Sequence, residues 1–294
     1  MRILFTIPHV FNPQPEGKDH YGSLSQNPQP RIAALTQALC ALRSLDESSQ
    51  FWFEYTDKLY MHQANQGNFV QLDIIICTTQ GLHVLDQLPK ACTAYRHHPT
   101  DCEPMFLGFE CHALLKSHLG QYDYYCYLED DLILHDPQFF LKIAWFNACV
   151  GDRAVLQPNR YEQVSSNAIK KVYIDPARDC ASGRIAGYAH NFHDNLTISG
   201  QVMGRPIQFI RAGNPHSGCF FLNARQMEHW ANSDYFLNRD TRFFGPLESA
   251  ASLGLMQTFR VYKPAPTHAN FLEIQHFGEA WSHKLPQVIL QYRR

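Results

Sequence analysis

The stretch "YDYYCYLEDDLILHD", residues 122–136, carries an apolar run directly into three consecutive acids, Glu129, Asp130 and Asp131. Two unit charges ~4 Å apart repel by about 1 kcal/mol in bulk water and by about 4 kcal/mol near a protein surface. A divalent cation would offset this repulsion, because Mg²⁺ and Mn²⁺ take hard oxygen ligands and complete their coordination shell with substrate phosphates. The alternative is a solvated turn in which one of the aspartates caps a neighbouring element.

Around this stretch, apolar strand-like segments alternate with segments of helical periodicity. The predicted strands are 2–10, 69–79 and 122–128, and the predicted helices are 31–45, 105–120 and 136–150. Asp136 is predicted as the N-cap of the last helix, with Pro137 in its first turn. Strands that alternate with helices indicate an α/β fold with a mostly parallel sheet. Acids that follow a strand of such a sheet lie where ligands bind, beyond the carboxyl ends of the strands.

The second half of the chain shows a less regular pattern. Strands are predicted at 153–162, 219–224 and 259–265, helices at 225–233 and 247–256, and a loop at 175–205. The polar segment 11–30 is also predicted as a loop, and loops of this length are commonly lids or binding segments. No repeat or low-complexity linker divides the chain, so we expect one domain, 1–294, with lobes at 1–150 and 151–294.

Composition restricts the class of protein. The 294 residues are 45% hydrophobic and 18% charged, and the formal net charge of -2 argues against a nucleic-acid partner. No apolar run reaches the ~18–20 residues of a membrane span, which leaves peripheral membrane contact open. The N-terminal "MRILFTIPHVF" is interpreted as a first strand and not as a signal peptide. Nine cysteines without a C-x-x-C pair predict a reducing compartment, and we expect a cytoplasmic location.

The segment "YLEDDLILHDPQFF", residues 127–140, resembles the D-x-D motif region of GT-A glycosyltransferases. It is similar in particular to the E-D-D-L…P-x-F-F pattern of the N-acetylglucosaminyltransferase I group. The resemblance implies a Rossmann-like fold with a mixed, mostly parallel central sheet flanked by helices. It also implies that lobe 1–150 binds a nucleotide-diphosphate sugar, with a UDP-sugar as the expected donor, and that lobe 151–294 binds the acceptor and catalyses transfer.

The same resemblance implies roles for individual residues of the first half. Asp131 would be a direct ligand of Mn²⁺ or Mg²⁺, and Glu129 and Asp130 would contact the ribose, the sugar or metal-bound water. Further donor contacts are expected from the ends of two strands and the start of the first helix, at Thr6, Pro8, Thr78 and Arg31. Threonine at a strand end and arginine at a helix start are common in any protein, so ordinary structural roles stay open.

The second half supplies the remaining expected site residues. The loop "RAGNPHSG", residues 211–218, resembles the acceptor-side glycine loop of the family, and Gly218 is expected to approach the donor closely. By position, Glu248 resembles the catalytic base of inverting GT-A enzymes, with Asp240 as the rival. His268 is expected to complete the metal or diphosphate site. His276 is a weaker candidate, and the sequence does not rank His190, His193 and His216.

These observations predict a metal-dependent, inverting glycosyltransferase that moves a hexosyl or N-acetylhexosaminyl group to an acceptor hydroxyl. The acceptor is expected to be a carbohydrate or a glycan-lipid. A retaining mechanism stays open, because the stereochemistry depends on Glu248 alone. The alternatives are a nucleotidyltransferase that makes sugar nucleotides and a binding module of the same fold without turnover. The first of these usually has a glycine-rich phosphate loop after its first strand, and "IPHVFNPQPEG" matches such a loop poorly.

Overall fold

The computed structural model describes residues 1–14, 22–67, 70–164, 169–175, 185, 187–189 and 195–284. Its helices are Gln29–Leu45, Leu107–Ser117, Phe139–Val150, Ala224–Ala231 and Pro246–Glu248, the last of which continues through a π-helical segment, Ser249–Leu253, into Gly254–Thr258. Within these ranges no helix combines the length and apolar character that crossing a membrane requires.

The described chain divides into two compact units. The first unit comprises residues 1–130 and 221–239, and the second comprises residues 131–220 and 240–294. The sequence placed the division between two lobes at residue 150, whereas these units divide between Asp130 and Asp131. The acidic triplet therefore spans the point at which the chain leaves the first unit.

A five-stranded sheet forms the centre of the first unit. Its strand order is Cys219–Asn223, Tyr124–Leu128, Arg2–Pro8, Gln71–Thr79 and Arg96–Thr100. Arg2–Pro8 pairs in parallel with Gln71–Thr79 and with Tyr124–Leu128, and Gln71–Thr79 pairs in parallel with Arg96–Thr100. Residues 3–8 and 124–128 are buried throughout, as expected of strands covered on both faces. The predicted α/β fold with a mostly parallel sheet is confirmed.

The order of the strands creates a switch point beside the first strand. The chain passes from Arg2–Pro8 outward in one direction through the next two parallel strands, and then returns to the other side of Arg2–Pro8 with Tyr124–Leu128. In open α/β sheets the crevice for ligands lies at this reversal, beyond the carboxyl ends of the strands. Pro8 and Leu128 are the carboxyl ends of the two strands that flank it.

Two four-stranded sheets form the second unit. One has the order Lys171–Tyr173, Asn159–Gln163, Glu273–His276 and Leu132–Ile133. The other has the order Thr197–Val202, Arg205–Arg211, Arg260–Pro264 and Ala154–Leu156. A cluster of buried apolar side chains packs beside the second sheet, formed by Ala212, Phe243, Leu253, Met256 and Val261.

Several predicted boundaries were wrong. The helix expected from Asp136 begins at Phe139, because the Asp136 carboxylate closes a turn by accepting from the Gln138 amide. The strand expected over 153–162 is two strands, Ala154–Leu156 and Asn159–Gln163, separated at Pro158. The predicted loop 175–205 contains a strand, Thr197–Val202, which pairs with Arg205–Arg211. Much of that loop, including His190 and His193, lies outside the described residues, as do residues 15–21 of the loop 11–30.

Sequence analysis also missed an antiparallel hairpin in the first unit. Its strands, Phe51–Tyr55 and Leu59–Gln63, pair with each other and form a separate two-stranded sheet. Its apolar residues occupy adjacent positions and do not alternate simply with polar ones, so the period-two pattern was obscured.

Candidate functional site

Asp130 lies at the switch point of the first unit. Both of its carboxylate oxygens bond to side chains of the protein. The Oδ2 atom lies 2.5 Å from Nδ1 of His9, which directly follows the first strand. The Oδ1 atom lies 2.7 Å from Nη2 of Arg31, in the first turn of helix Gln29–Leu45. Nε2 of His9 accepts from the Val84 amide at 3.2 Å. Asp130 thus fixes one imidazole and one guanidinium at the carboxyl edge of the sheet.

The other first-half residues predicted to contact the donor have mixed environments. Thr6 is completely buried, and its hydroxyl donates to the Cys126 carbonyl at 3.3 Å. Thr78 is buried too, with its hydroxyl 2.8 Å from Nε2 of His97. Pro8 ends the first strand, and Glu129 is 8% exposed. The structure therefore brings Asp130 and Arg31 together, while the hydroxyls of Thr6 and Thr78 bond within the protein.

In the second unit, Asp131 faces a histidine that a buried glutamate orients. Nε2 of His276 lies 4.0 Å from Oδ2 of Asp131. Nδ1 of the same ring lies 2.9 Å from Oε1 of Glu162, which is completely buried. Glu162 also accepts from the backbone amides of Trp281 and Ser282, the latter at 2.7 Å. This carboxylate–histidine pair leaves Nε2 as the ring nitrogen directed toward Asp131.

Strand register accounts for this arrangement. Gln275 pairs with Tyr161 in a parallel ladder, so the next residues along, His276 and Glu162, lie side by side. His276 also pairs with Leu132 on its other side, in an antiparallel ladder. The Phe277 amide donates to the Asp131 carbonyl at 2.8 Å and continues this pairing. Three strand segments distant in sequence thereby converge on one histidine.

The protonation equilibria of Glu162 and His276 follow from their contacts. Burial raises the pKa of Glu162, but hydrogen bonds from His276, Ser282 and Trp281 lower it more, and the net pKa lies below its usual value. Burial lowers the pKa of His276, but the bond to Glu162 and the charge of Asp131 outweigh it, and the net pKa is raised. Glu162 is therefore ionised at neutral pH and accepts from Nδ1, so that a proton or metal ion is taken up at Nε2.

Asp131 and His276 together fit a divalent cation. Two atoms bound to the same Mg²⁺ at about 2.1 Å can be at most about 4.2 Å apart, so a separation of 4.0 Å is within reach of one ion. The bond from Glu162 supplies the outer-shell partner that metal-bound histidines almost always have. No cluster of three or more His, Cys, Asp or Glu side chains suited to a metal occurs in the part of the chain that the structure describes. A site on these residues would thus be completed by ligand oxygens and water.

His268, the histidine expected at the metal, has a different setting. It lies in the turn Pro266–Phe271 with Nδ1 3.1 Å from the Thr267 hydroxyl. The histidine that the structure pairs with Asp131 is His276, which sequence analysis had ranked lower. The metal role of His268 remains a prediction without a supporting contact.

Glu248 and Asp240, the two candidates for the base, differ in their environments. Oε2 of Glu248 is shielded from solvent and has no hydrogen-bond partner among the described residues. The Asp240 carboxylate accepts from Nε and Nη2 of Arg242, both at 2.9 Å. Hydrogen bonding to Arg242 lowers the pKa of Asp240 to about 2. A carboxylate whose pKa is lowered in this way is a weaker base than an ordinary carboxylate.

A cavity of about 240 Å³ opens in the second unit beside the predicted glycine loop. Gly213, Asn214, Tyr173 and Lys263 are among the residues that line it. Gly218, farther along the loop, has φ 63°, a conformation that glycine adopts at little cost. The cavity is large enough for one sugar ring or several water molecules. Its lining does not include Asp131, His276 or Glu248.

A buried ion-pair network closes one side of this cavity. Asp175 pairs with Nη2 of Arg160 at 2.8 Å and with Nζ of Lys263 at 3.0 Å. Burial raises the pKa of Asp175, but the charges of Lys263 and Arg160 lower it far more, so that the net pKa is depressed. Nζ of Lys263 also donates to the His216 carbonyl at 2.8 Å. His216, which the sequence could not rank, is buried, and burial lowers its pKa well below the usual value.

Sequence reasoning did not single out His9 or Glu162, and it ranked His276 below His268. His9 directly follows a strand that is buried from Ile3 to Pro8, and Glu162 is the single acid in the buried part of the strand Asn159–Gln163. A polar or charged side chain buried at such a position needs a partner in the fold, and that requirement was the available signal. The identity of the partner depends on strand register, which periodicity does not specify.

Comparisons with known proteins supply fold-level likenesses alone. No protein-family model matches the chain, and no curated protein matches it. A crystal structure of S. aureus TarS 1-349 is similar with a TM-score of 0.42 at 8% identity, over 95% of this chain and 61% of that one. The chain thus spans about three fifths of the TarS structure.

Two further solved structures cover 90% of this chain with TM-scores of 0.35. They are CMP:2-keto-3-deoxy-manno-octonic acid synthetase complexed with CTP, at 12% identity over 91% of that chain, and an active-site mutant of LgtC, at 14% identity over 72% of that chain. All three TM-scores lie below 0.5.

Proposed function

We propose that the chain is a glycosyltransferase that moves a sugar from a nucleotide-diphosphate sugar to an acceptor hydroxyl. One observation carries this proposal. Asp131 directly follows the two acids at the switch point of a mostly parallel sheet, and it faces Nε2 of a histidine oriented by buried Glu162. This arrangement fits a cation that binds a donor's diphosphate.

Asp131 and His276 would hold Mn²⁺ or Mg²⁺. When bound, the ion supplies charge stabilisation to the diphosphate that departs with the nucleoside. Two protein ligands are in keeping with these ions, which are commonly bound by one or two protein groups together with substrate phosphates and water. Glu162 has the supporting role of fixing the ring orientation and the tautomer of His276.

Arg31 and Glu129 are proposed to bind the donor in the first unit. Because the oxygens of Asp130 bond to His9 and Arg31, we assign Asp130 to positioning these two side chains. The guanidinium of Arg31 presents several N–H donors, which suits phosphate or ribose oxygens. The expected contacts of Thr6, Pro8, Thr78 and Gly218 with the nucleotide or sugar stay part of the proposal, through backbone atoms where the side chain is buried.

Glu248 is proposed as the catalytic base. Its carboxylate takes the proton of the acceptor hydroxyl as the acceptor oxygen bonds to the anomeric carbon. The bond from that carbon to the donor phosphate breaks, and the nucleoside diphosphate leaves with inversion of configuration. The assignment is supported by Oε2 of Glu248, which has no hydrogen-bond partner among the described residues. The proposed acceptor is a carbohydrate, free or attached to a lipid.

The products identify the class of reaction. The purified chain is incubated with Mn²⁺ and a panel of hexosyl and N-acetylhexosaminyl nucleotide-diphosphate sugars, and the released products are separated. Release of nucleoside diphosphate, lost in Asp131→Ala, supports a glycosyltransferase. Release of pyrophosphate from a nucleoside triphosphate and a sugar would identify a nucleotidyltransferase. Donor binding without release would identify a binding module, and either of these outcomes contradicts the proposal.

A further inference from the structure

The hairpin Phe51–Gln63 has one face on which every residue but Gln63 is apolar. In its register Phe53 lies opposite Met61 and Tyr55 lies opposite Leu59, so these residues project from the same face. Phe51, opposite Gln63, adds to the same face. We define the apolar face as Phe51, Phe53, Tyr55, Leu59 and Met61. These five side chains are 53% to 82% exposed, although each belongs to a residue type that is usually buried or half-buried.

On the opposite face of the hairpin, side chains of the two strands contact one another. Trp52 stacks on His62 with ring centroids 4.7 Å apart. Glu54 pairs with Nε2 of the same histidine at 3.4 Å. The two faces therefore differ in chemistry, and the apolar one has no comparable contacts within the described chain.

The base of the hairpin is anchored, which fixes the apolar face on the first unit. The Ala64 amide donates to the Gln50 carbonyl at 2.9 Å, and the Gln50 side chain donates to the Ser44 carbonyl at 2.8 Å. Beyond this base the two strands pair with each other alone among the described strands. Two-stranded hairpins are marginally stable in water by themselves, so a surface packed on the apolar face would stabilise this one.

The size of the apolar face matches a protein interface. A large apolar side chain presents ~150–250 Å² of surface, so these five side chains leave about 700 Å² accessible. The largest apolar patch on a typical monomer is about 300–600 Å². Two such faces packed together would bury about 1,400 Å², within the roughly 1,200–2,000 Å² of a stable specific interface.

Charge distinguishes between the occupants of this face. Segment 46–63 carries four acids, Asp46, Glu47, Glu54 and Asp57, against one base, Lys58. Peripheral membrane elements are rich in lysine and arginine, which anionic lipids attract, and this segment has the opposite sign. The apolar face itself carries no charge, so a second copy placed on it buries no unpaired ion. A symmetric dimer interface requires such a self-complementary surface.

We propose that two copies of the chain associate through the apolar faces of their hairpins, packed against each other about a twofold axis. The proposal is independent of the reaction assigned above, and its test requires no activity. Sedimentation velocity of the full chain between 1 and 50 µM is expected to show a dimer. Phe53→Lys, at the centre of the apolar face, is expected to weaken dimerisation by about 100-fold or more, because each copy buries an unpaired charge.

Tyr60→Lys is the matched control. It introduces the same side chain on the same hairpin, on the opposite face and across from Glu54, and should leave the dimer intact. Circular dichroism verifies the fold of each variant, and Met61→Lys replaces Phe53→Lys if that variant does not fold. A wild-type dimer, a monomeric Phe53→Lys and a dimeric Tyr60→Lys support the proposal. A wild-type monomer contradicts the proposal. So does a wild-type dimer that is dissociated by both substitutions or by neither of them.

Membrane contact is the competing occupant, and the same samples test it. Wild-type chain and Phe53→Lys are sedimented with vesicles of neutral phosphatidylcholine and with vesicles that contain 30% anionic lipid. Dimeric chain that stays in the supernatant supports the proposal. Monomeric chain that pellets with vesicles through Phe53 would assign the apolar face to a lipid surface and overturn it.

Discussion

Glu162 lies 2.9 Å from Nδ1 of His276 and thereby directs Nε2 of the same ring toward Asp131. This pairing connects the end of the acidic triplet to a residue about 145 positions later in the chain. It also makes the metal site testable through a residue that would not touch the metal. Because outer-shell carboxylates fix the orientation of metal-bound histidines, their loss weakens metal binding even where the direct ligands remain.

Glu162→Gln is expected to lower the affinity for Mn²⁺ by about 10–100-fold in the presence of a nucleoside diphosphate. The amide keeps the shape of the side chain and removes the charge that orients His276. Titration of free Mn²⁺ by electron paramagnetic resonance measures this affinity. Glu273→Gln, on the same sheet and bonded to Lys171 and Tyr173, is the matched control and should bind Mn²⁺ normally. Equal affinities in the two variants would remove Glu162 from the site.

The two candidate histidines can be separated directly. His276→Ala and Asp131→Ala are each expected to abolish the Mn²⁺-dependent part of the thermal shift produced by a nucleotide-diphosphate sugar. A ligand at a hundredfold excess over its Kd stabilises the native state by about 2.7 kcal/mol, so the loss is measurable. His268→Ala should retain the shift, because His268 bonds to Thr267 in a separate turn. The reverse pattern would restore His268 as the metal ligand.

Glu248→Gln is expected to lower kcat for transfer by about 10²–10⁴-fold, the contribution of a positioned general base. Donor binding, measured by the same thermal shift, should be unchanged. Asp240→Asn is the matched control, because the Asp240 carboxylate is bonded to Arg242. Initial rates of nucleoside diphosphate release with a saturating acceptor report both variants. A larger loss in Asp240→Asn would exchange the two assignments.

The buried pair of Asp175 with Lys263 and Arg160 predicts a dependence of stability on pH. The folded-state pKa of Asp175 lies below the unfolded value of about 3.9, so its contribution is present above about pH 4 and is lost as the pH falls through the folded pKa. Asp175→Asn should cost about 3–5 kcal/mol at pH 7, because it leaves two buried cations without their counterion. This difference from wild type should begin to shrink below about pH 4, where the carboxyl of the unfolded chain takes up a proton while the folded one stays ionised, and it should vanish only below the folded pKa.

Urea unfolding at pH 7, 5, 4 and 3 measures this difference. Asp136→Asn is the control, because Asp136 forms a partly exposed pair with Lys142 that contributes about 0–1 kcal/mol. A gap between wild type and Asp175→Asn that stays constant down to pH 3 would show that the charge of Asp175 does not stabilise the fold.

The strands of the fold were predictable where burial on both faces alone determines the sequence pattern. Strands buried on both faces appear as continuous apolar runs, so Arg2–Pro8 and Gln71–Thr79 were located to within about two residues. Helix Phe139–Val150 was placed too early because Asp136 and Pro137 have the chemistry of a helix start. Their turn instead uses the Asp136 carboxylate to accept from Gln138. Local chemistry alone does not decide between these two outcomes.

The sequence pointed to Asp131 because this residue belongs to a contiguous motif. It did not point to the pair of Glu162 and His276, because these two residues become neighbours only when their strands pair in one particular register. Three strands, Leu132–Ile133, Asn159–Gln163 and Glu273–His276, must align before their side chains converge. A shift of one residue in any of them would turn the relevant side chain to the other face. Register of this kind arises from the packing of a whole sheet, and no short segment of sequence specifies it.

Crystals grown with Mn²⁺ and a nucleoside diphosphate provide the most direct test, by anomalous diffraction at the manganese absorption edge. The predicted result is a single strong peak about 2.0–2.2 Å from an oxygen of Asp131 and from Nε2 of His276, with diphosphate oxygens among the remaining ligands. A peak elsewhere, or a bound nucleotide with Asp131 turned to solvent and no ion beside His276, would contradict the account.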